Sequence, residues 1–189
     1  MAALLRDSRH LWLVGLTGVG KTSIGKRLAA RLDMPFLDTD AEVSRQCNLS
    51  IAELWERHGE ASFRRLEEEA VQTAGERVTP TIVATGGGAI LSDASRSMMR
   101  TTGLVSWITM DLDYLADSLA SKKRRPVLDG DLRTRLGDLM EHRRELYASV
   151  SDWTVDATNR AKDDVAAELA ERWHDRRIPP KPLDHPPSE

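Results

Sequence analysis

The run from Gly15 to Thr22 has the residue types and the spacing that bind the phosphates of a nucleotide triphosphate. It matches G-x-x-x-x-G-K-[ST] at every fixed position, between an apolar stretch and a helical pattern. Glycines let backbone N–H groups point at phosphate oxygens, Lys21 can reach the outer phosphates, and the Thr22 hydroxyl can ligate Mg²⁺. A glycine-rich turn is the alternative, but it gives no role to the Lys-Thr pair. We expect the nucleotide to contact Gly18, Val19, Gly20, Lys21, Thr22 and Ser23.

Two carboxylates separated by one residue, Asp38 and Asp40, follow the second predicted strand. One could hold Mg²⁺ through water, while the other accepts a hydrogen bond from a substrate hydroxyl and takes its proton during phosphoryl transfer. The alternative makes Asp40 the N-cap of a helix and Asp38 a solvated turn residue. These two residues alone do not decide between the interpretations.

Three consecutive glycines, Gly86, Gly87 and Gly88, follow the third predicted strand and leave only backbone on that surface. A ring-shaped polyol could lie against these peptide groups and receive their N–H hydrogen bonds without a side-chain collision. A flexible turn is the alternative, because glycine clusters are common in loops.

Two arginines on separate helical patterns, Arg64 and Arg143, could together select a substrate that bears a carboxylate. Arginine binds a carboxylate with two parallel hydrogen bonds, so two converging guanidinium groups would be selective. For either arginine alone the alternative is favoured, namely surface pairing such as Arg64 with Glu67 or Glu68.

The polar and basic segment from Ser118 to Asp131 is typical of a closing lid. An arginine from such a lid would stabilise the charge of the transferring phosphoryl group, and closure would exclude water. A solvated basic loop is an equally good interpretation of this segment on its own.

Strand-like segments alternate with helical patterns, which predicts an α/β fold: a three-layer P-loop kinase fold with a central, mainly parallel five-stranded sheet flanked by helices, plus a lid. The predicted strands are Leu11–Val14, Pro35–Leu37, Thr81–Ala84, Val105–Thr109 and Trp153–Asp156. The predicted helices cover residues 21–32, 40–47, 50–57, 60–77, 92–101, 111–121, 131–149 and 161–174. Ligands of such sheets bind beyond the carboxyl ends of the strands.

The 189 residues suffice for one well-buried domain, placed at residues 1–176, with a substrate-binding segment near residues 38–70 and a lid near residues 118–131. Residues 177–189 are Pro-rich and expected to be disordered.

The overall composition is that of an ordinary soluble protein, and we expect a cytoplasmic location. The net charge of −3 argues against duplex nucleic acid as a partner, and no apolar run is long enough to cross a bilayer. Cys47 is the single cysteine, which excludes an intrachain disulfide and a cysteine-based zinc site. We expect a monomer that binds a small-molecule substrate, no nucleic acid and no membrane.

The ordered segments GLTGVGKT, DTD, FRRLE, GGGA, RRPVL and RRELY together closely resemble the shikimate kinase family of small P-loop phosphotransferases. The resemblance covers roughly residues 10–174. It implies that ATP, with Mg²⁺, phosphorylates the 3-hydroxyl of shikimate to give shikimate 3-phosphate, on the route to chorismate and the aromatic amino acids.

The resemblance also implies roles in catalysis. Asp40 binds the reacting hydroxyl and acts as the base, and Lys21 acts on the phosphoryl group. Thr22 ligates Mg²⁺ and Asp38 supports it. Arg125 is the lid arginine that reaches the nucleotide phosphates.

Binding roles follow from the same resemblance. Arg64 and Arg143 hold the substrate carboxylate, and the three glycines line the ring. The loop that contains Asn159 and Arg160 borders the adenine.

Three positions depart from the family pattern. Arg143-Arg144-Glu145 stands where Arg-x-Pro is frequent, so Arg144 competes with Arg143, which we prefer by its spacing. Ser118 stands where an arginine commonly packs on adenine, which bears on nucleotide affinity. Val127 replaces a leucine, a volume change of little consequence.

Two other functions compete with this hypothesis. Gluconate kinase has a similar size and the same phosphate loop, although the FR-x-x-E and triple-glycine segments argue against it. The other competing function is that of a non-catalytic nucleotide sensor or a GTPase-like switch. A non-catalytic sensor would be expected to lack Lys21, Asp40 or Arg64, but all three are present. A GTPase would be expected to contain an Asn-Lys-x-Asp segment that binds guanine, and the sequence has none.

Overall fold

The computed structural model describes residues 10–121 and 132–175, and a five-stranded sheet lies at their centre. The strands are His10–Val14 (β1), Phe36–Asp38 (β2), Ile82–Ala84 (β3), Gly103–Thr109 (β4) and Trp153–Asp156 (β5). The flanking α-helices are Lys21–Leu32 (α1), Thr39–Cys47 (α2), Ile51–Gly75 (α3), Asp93–Thr102 (α4), Leu112–Ser121 (α5), Leu132–Val150 (α6) and Lys162–His174 (α7).

All pairings in the sheet are parallel, and the strand order is β2-β3-β1-β4-β5. The central strand β1 is buried along its whole length, whereas the edge strand β5 alternates buried and exposed residues. A strand covered by helices on both faces has no polar side, which explains why the stretch from Leu11 to Val14 is apolar without alternation.

The register aligns the carboxyl ends of three neighbouring strands. Leu13 of β1 lies opposite Ala84 of β3, and Ala84 lies opposite Asp38 of β2. Because the strands are parallel, the segments that follow them emerge at one edge of the sheet. The phosphate loop (Gly15–Thr22), the two aspartates and the glycine triplet (Gly86–Gly88) therefore meet at this edge.

Two hydrophobic clusters stabilise the described residues. The larger one fills the space between the sheet and its helices around side chains such as Trp12, Leu28 and Ile108, all fully buried. The smaller cluster lies between α2 and α3, where it consists of Val43, Leu54, Phe63 and Ala70. It joins these two helices into a unit that corresponds to the predicted substrate-binding segment.

The fold class is confirmed, and most predicted elements end within two residues of the observed ones. The predicted helices 50–57 and 60–77 form one element, α3, which is kinked at Gly59. Gly59 has φ 73° and ψ 170°, a conformation that essentially only glycine adopts. A single 3₁₀ turn, Ala89–Leu91, was not predicted because one turn is too short to show a periodicity.

The predicted lid is described only at its start. Ser118 lies in the last turns of α5, and residues 122–131, which include Arg125 and Val127, lie outside the described residues. The tail at residues 177–189 also lies outside them. No helix within residues 10–121 or 132–175 is both long and apolar enough to cross a membrane.

Helix α3 begins with a capping box that should contribute to stability. The Ser50 hydroxyl accepts a hydrogen bond from the Glu53 N–H at 3.2 Å, and the Glu53 carboxylate accepts one from the Ser50 N–H at 2.8 Å. We expect Ser50→Ala to lower the free energy of unfolding by about 1 kcal/mol and Tm by about 2–4 °C, measured by thermal denaturation.

Ser97→Ala, on the exposed face of α4, is the matched control and should not lower the free energy of unfolding. Equal stability of the two variants would show that the box contributes nothing.

Candidate active site

The phosphate loop is held in a conformation that requires glycine. Gly15, Gly18 and Gly20 have φ angles of 141°, 97° and 102°. The next residue, Lys21, is only 7% exposed, and its Nζ donates to the carbonyl of Gly15 at 2.7 Å and to that of Leu16 at 2.9 Å. The ammonium group of Lys21 is therefore held against the first two residues of the loop.

The other predicted nucleotide contacts differ in exposure. Val19 is buried, so only its backbone is available to a phosphate. Thr22 and Ser23 are exposed in the first turn of α1, where unpaired N–H groups and the helix dipole favour an anion.

Asp38 links the second strand to the phosphate loop. Its Oδ1 accepts the Ala41 N–H at 3.1 Å, and its Oδ2 accepts the Thr22 hydroxyl at 2.6 Å. Asp38 is thus the N-cap of α2, while Asp40 lies inside the first turn. The alternative that made Asp40 the cap and Asp38 a solvated turn residue is wrong, because the helix begins directly after the strand, at Thr39.

The glycine triplet is buried, and its backbone is hydrogen-bonded to neighbouring parts of the protein. The Gly86 N–H donates to Thr39 Oγ1 at 2.9 Å, and all three glycines are buried. A Cβ added to Gly86 would overlap Oδ1 of Asp40 and Oε1 of Glu67. A Cβ on Gly87 would lie 2.7 Å from Thr17 Oγ1 of the phosphate loop. Side chains of the protein itself use the space that glycine provides.

Arg64 lies against the last glycine of the triplet. A Cβ on Gly88 would occupy the position of Arg64 Nη1. Nη1 also donates to Glu67 at 2.6 Å, and Nη2 donates to Glu60 at 3.1 Å. The pair of Arg64 with Glu67 that the alternative interpretation named is therefore present, but the side chain of Glu67 is only 3% exposed, so the pair is not at the surface. Glu68, the other suggested partner, instead accepts the Ser92 hydroxyl.

Two aromatic rings fix the Arg64 guanidinium further. Its Cζ lies 5.4 Å from the centre of the Trp55 ring and 5.5 Å from that of Phe63. Both distances are those of cation–π contacts. The guanidinium is therefore oriented by two carboxylates and two aromatic rings of the protein itself.

Arg143 approaches the same triplet from α6. Its Nη1 donates to the Gly87 carbonyl at 2.9 Å, and the Tyr147 hydroxyl donates to the same oxygen at 3.0 Å. Burial raises the pKa of Tyr147 to about 12, which keeps the phenol protonated as a donor at neutral pH. Arg144 is exposed, whereas Arg143 is half-buried and contacts the triplet, and the choice between them for the substrate stays a prediction.

Arg160 lies on the other side of the sheet edge, after β5. Its Nη1 donates to the Asp156 carbonyl at 2.9 Å and to Glu168 at 2.7 Å. Burial would raise the pKa of Glu168, but hydrogen bonds from Arg160 and Arg172 outweigh it and hold that pKa below its usual value. Arg160 is thus anchored to α7, and its contact with adenine stays a prediction.

Sequence reasoning missed the positioning roles of Glu67 and Tyr147. Glu67 was considered only as a surface partner, although its place in FR-x-x-E, one turn after Arg64, could have indicated an oriented arginine. Tyr147 follows Arg143 by four residues and so lies on the same helix face. Nothing in the sequence shows that both helices turn these faces toward the glycine triplet.

The candidate site thus consists of the two aspartates, the guanidinium groups of Arg64 and Arg143, and the phosphate loop. These groups lie around the buried glycine triplet. This arrangement can hold a nucleotide triphosphate on one side and a small anionic polyol on the other. Phosphoryl transfer between them needs little covalent chemistry from the protein beyond positioning and charge stabilisation.

Comparison with known proteins identifies the family. The family profile for shikimate kinase matches residues 17–174. The shikimate kinase of Mesorhizobium japonicum is 39% identical over 172 residues, which span 89% of this chain and 84% of that protein. That of Geobacter sulfurreducens is 38% identical over 165 residues, 87% of this chain and 90% of that protein.

Solved structures agree with these sequence matches. Shikimate kinase from Acinetobacter baumannii in complex with shikimate has a TM-score of 0.84 and 28% identity, covering 92% of this chain and 97% of that one. A gluconokinase from Sinorhizobium meliloti has a TM-score of 0.54 at 18% identity, covering 90% and 98%, and so shares only the fold. The chain belongs to the shikimate kinase family, whose members transfer a phosphoryl group from ATP to shikimate.

Proposed function

We propose that this chain transfers the γ-phosphoryl group of ATP to the 3-hydroxyl of shikimate. The observation that carries the proposal is the convergence of Arg64 and Arg143 on adjacent glycines, Gly88 and Gly87, beside Asp40 and the phosphate loop. A substrate that satisfies this site needs a carboxylate and a hydroxyl on one small rigid body. The matching family and the shikimate complex of its Acinetobacter baumannii member support the same substrate.

In the proposed reaction Asp40 accepts the proton of the attacking hydroxyl. A bond forms between that hydroxyl oxygen and the γ-phosphorus, the bond from γ-phosphorus to the bridging oxygen breaks, and ADP leaves. Lys21 stabilises the charge that develops on the phosphoryl oxygens, and the loop N–H groups hold the remaining phosphates.

Thr22 and Asp38 are proposed to hold Mg²⁺. Their side-chain oxygens are 2.6 Å apart, and hard oxygen ligands suit this ion. Within residues 10–121 and 132–175 no group of three or more His, Cys, Asp or Glu could hold a metal ion. This fits a magnesium ion that takes one or two protein ligands and otherwise binds phosphates and water. When bound, it neutralises charge on the β- and γ-phosphates.

Arg64 and Arg143 are proposed to bind the substrate carboxylate. Tyr147 supports this role because it also donates to the Gly87 carbonyl. When Arg143 turns toward a carboxylate, that buried carbonyl keeps a partner and avoids the cost of an unsatisfied acceptor.

The remaining assignments are proposals that rest on the sequence. Arg125 acts from a lid on the nucleotide phosphates, and Arg160 borders the adenine. The chain is a cytoplasmic monomer.

A direct assay tests the proposed function. Purified protein with ATP and Mg²⁺ should release ADP when shikimate is added and should not when gluconate is added. Lys21→Met, which removes charge stabilisation of the transition state, is the inactive control. Activity with gluconate alone would overturn the assignment.

The two neighbouring arginines of α6 offer a matched pair of variants. Arg143→Ala should raise KM for shikimate about 10- to 100-fold, because it removes hydrogen bonds between charged groups. Arg144→Ala should leave KM within about twofold, since exposed charges contribute little. KM for ATP should change in neither variant. The opposite ranking would assign the substrate role to Arg144.

The close approach at Gly88 predicts a specific defect. Gly88→Ala should displace the Arg64 guanidinium and raise KM for shikimate by about tenfold or more, with the fold retained by circular dichroism. Gly137→Ala on α6 is the control, because a Cβ there meets no atom within 4 Å. A wild-type KM in Gly88→Ala would show that Arg64 does not act from this position.

A further inference from the structure

The side chain of Lys162 lies against the last glycine of the phosphate loop. A Cβ on Gly20 would lie 3.0 Å from Lys162 Cε and 3.1 Å from its Nζ. Lys162 is half-buried although it is the first residue of α7. Its stem covers the backbone of Gly20, and its ammonium group ends beside the loop.

Lys21 and Lys162 reach the loop at different points. Lys21 donates to the carbonyls of Gly15 and Leu16, at the start of the loop. Lys162 lies at Gly20, the N-cap residue of α1, whose first turn includes Thr22 and Ser23. In this loop type the motif lysine reaches the β- and γ-phosphates, while the loop N–H groups hold the α- and β-phosphates, so a second cation beside the backbone of Gly20 lies near the part of the loop that holds the inner phosphates.

Contacts between α1 and α7 fix the position of Lys162 relative to the loop. Both helices contribute buried residues to the main core and lie side by side. The adjacent Asp163 pairs with Arg27 of α1 at 3.0 Å and lies 3.9 Å from Arg31. The positive charges of Arg27 and Arg31 therefore balance the negative charge of Asp163, which is next to Lys162 in the chain.

We propose that Lys162 is a nucleotide-binding residue whose ammonium group contacts the α-phosphate of ATP. This inference rests on the proposed function only in taking ATP as the nucleotide. A cation held close to the loop raises affinity for a polyanion by direct attraction, and it does so equally for ATP and ADP, which share the α-phosphate.

Calorimetric titration of the full chain with MgATP and MgADP, without a second substrate, tests this role. Lys162→Met keeps the stem over Gly20 but removes the charge, and Lys162→Arg retains the charge. Lys26→Met, on the exposed face of α1, removes the same charge one turn beyond the loop. Because no phosphoryl acceptor is present, the result is independent of whether the chain phosphorylates shikimate.

We expect Lys162→Met to weaken binding of both nucleotides about three- to tenfold, with the loss shrinking as salt is raised. Lys162→Arg should retain most of the affinity, and Lys26→Met should match the wild type. In the kinase assay KM for ATP should rise while KM for shikimate is unchanged. Unchanged Kd values, a loss confined to ATP, or an equal loss in Lys26→Met would overturn the proposal.

Discussion

The close approach of side chains from separate helices to the bare backbone of the glycine triplet is the constraint on which the candidate site depends. Asp40 and Glu67 lie against Gly86, Arg64 lies against Gly88, and Arg143 donates to the carbonyl of Gly87. A side chain at Gly86 would displace Asp40 or Glu67, one at Gly88 would displace Arg64, and one at Gly87 would meet Thr17 of the phosphate loop. The protein itself uses the space that glycine leaves, so the predicted contact with a substrate ring would be made on a surface already surrounded by fixed charges.

The charged side chains around the triplet are held in place by other groups of the protein, an arrangement called electrostatic preorganisation. Glu67 is almost completely buried, and its carboxylate remains compensated because Arg64 donates to it at 2.6 Å. Two aromatic rings hold the same guanidinium. A group oriented in this way need not reorganise when a charged substrate arrives, which is the main advantage of a protein site over water. The Gly87 carbonyl accepts hydrogen bonds from both Arg143 and the phenol of Tyr147.

The phosphate loop is also oriented in advance, but here backbone groups are held in place instead of side chains. Positive φ angles turn the peptide groups of the phosphate loop, and α1 directs its dipole at the space they enclose. Asp38 joins this side to the second strand through the Thr22 hydroxyl. A single edge of the parallel sheet thus orients both halves of the site, because the register sets Leu13, Ala84 and Asp38 side by side.

The sequence by itself determined the fold class, the phosphate loop and most element boundaries, because these depend on local patterns of apolar residues and glycine. It also indicated Asp40, Arg64 and the glycine triplet as candidates, since DTD, FR-x-x-E and the triple glycine are local segments, but it did not indicate the positioning roles of Glu67 and Tyr147. It did not show that Asp38, and not Asp40, caps α2, or that the pair of Arg64 with Glu67 is buried and not at the surface. Only the tertiary structure decided these points, because the burial of Glu67 and the meeting of α3 and α6 at one backbone segment arise from contacts between residues distant in the chain.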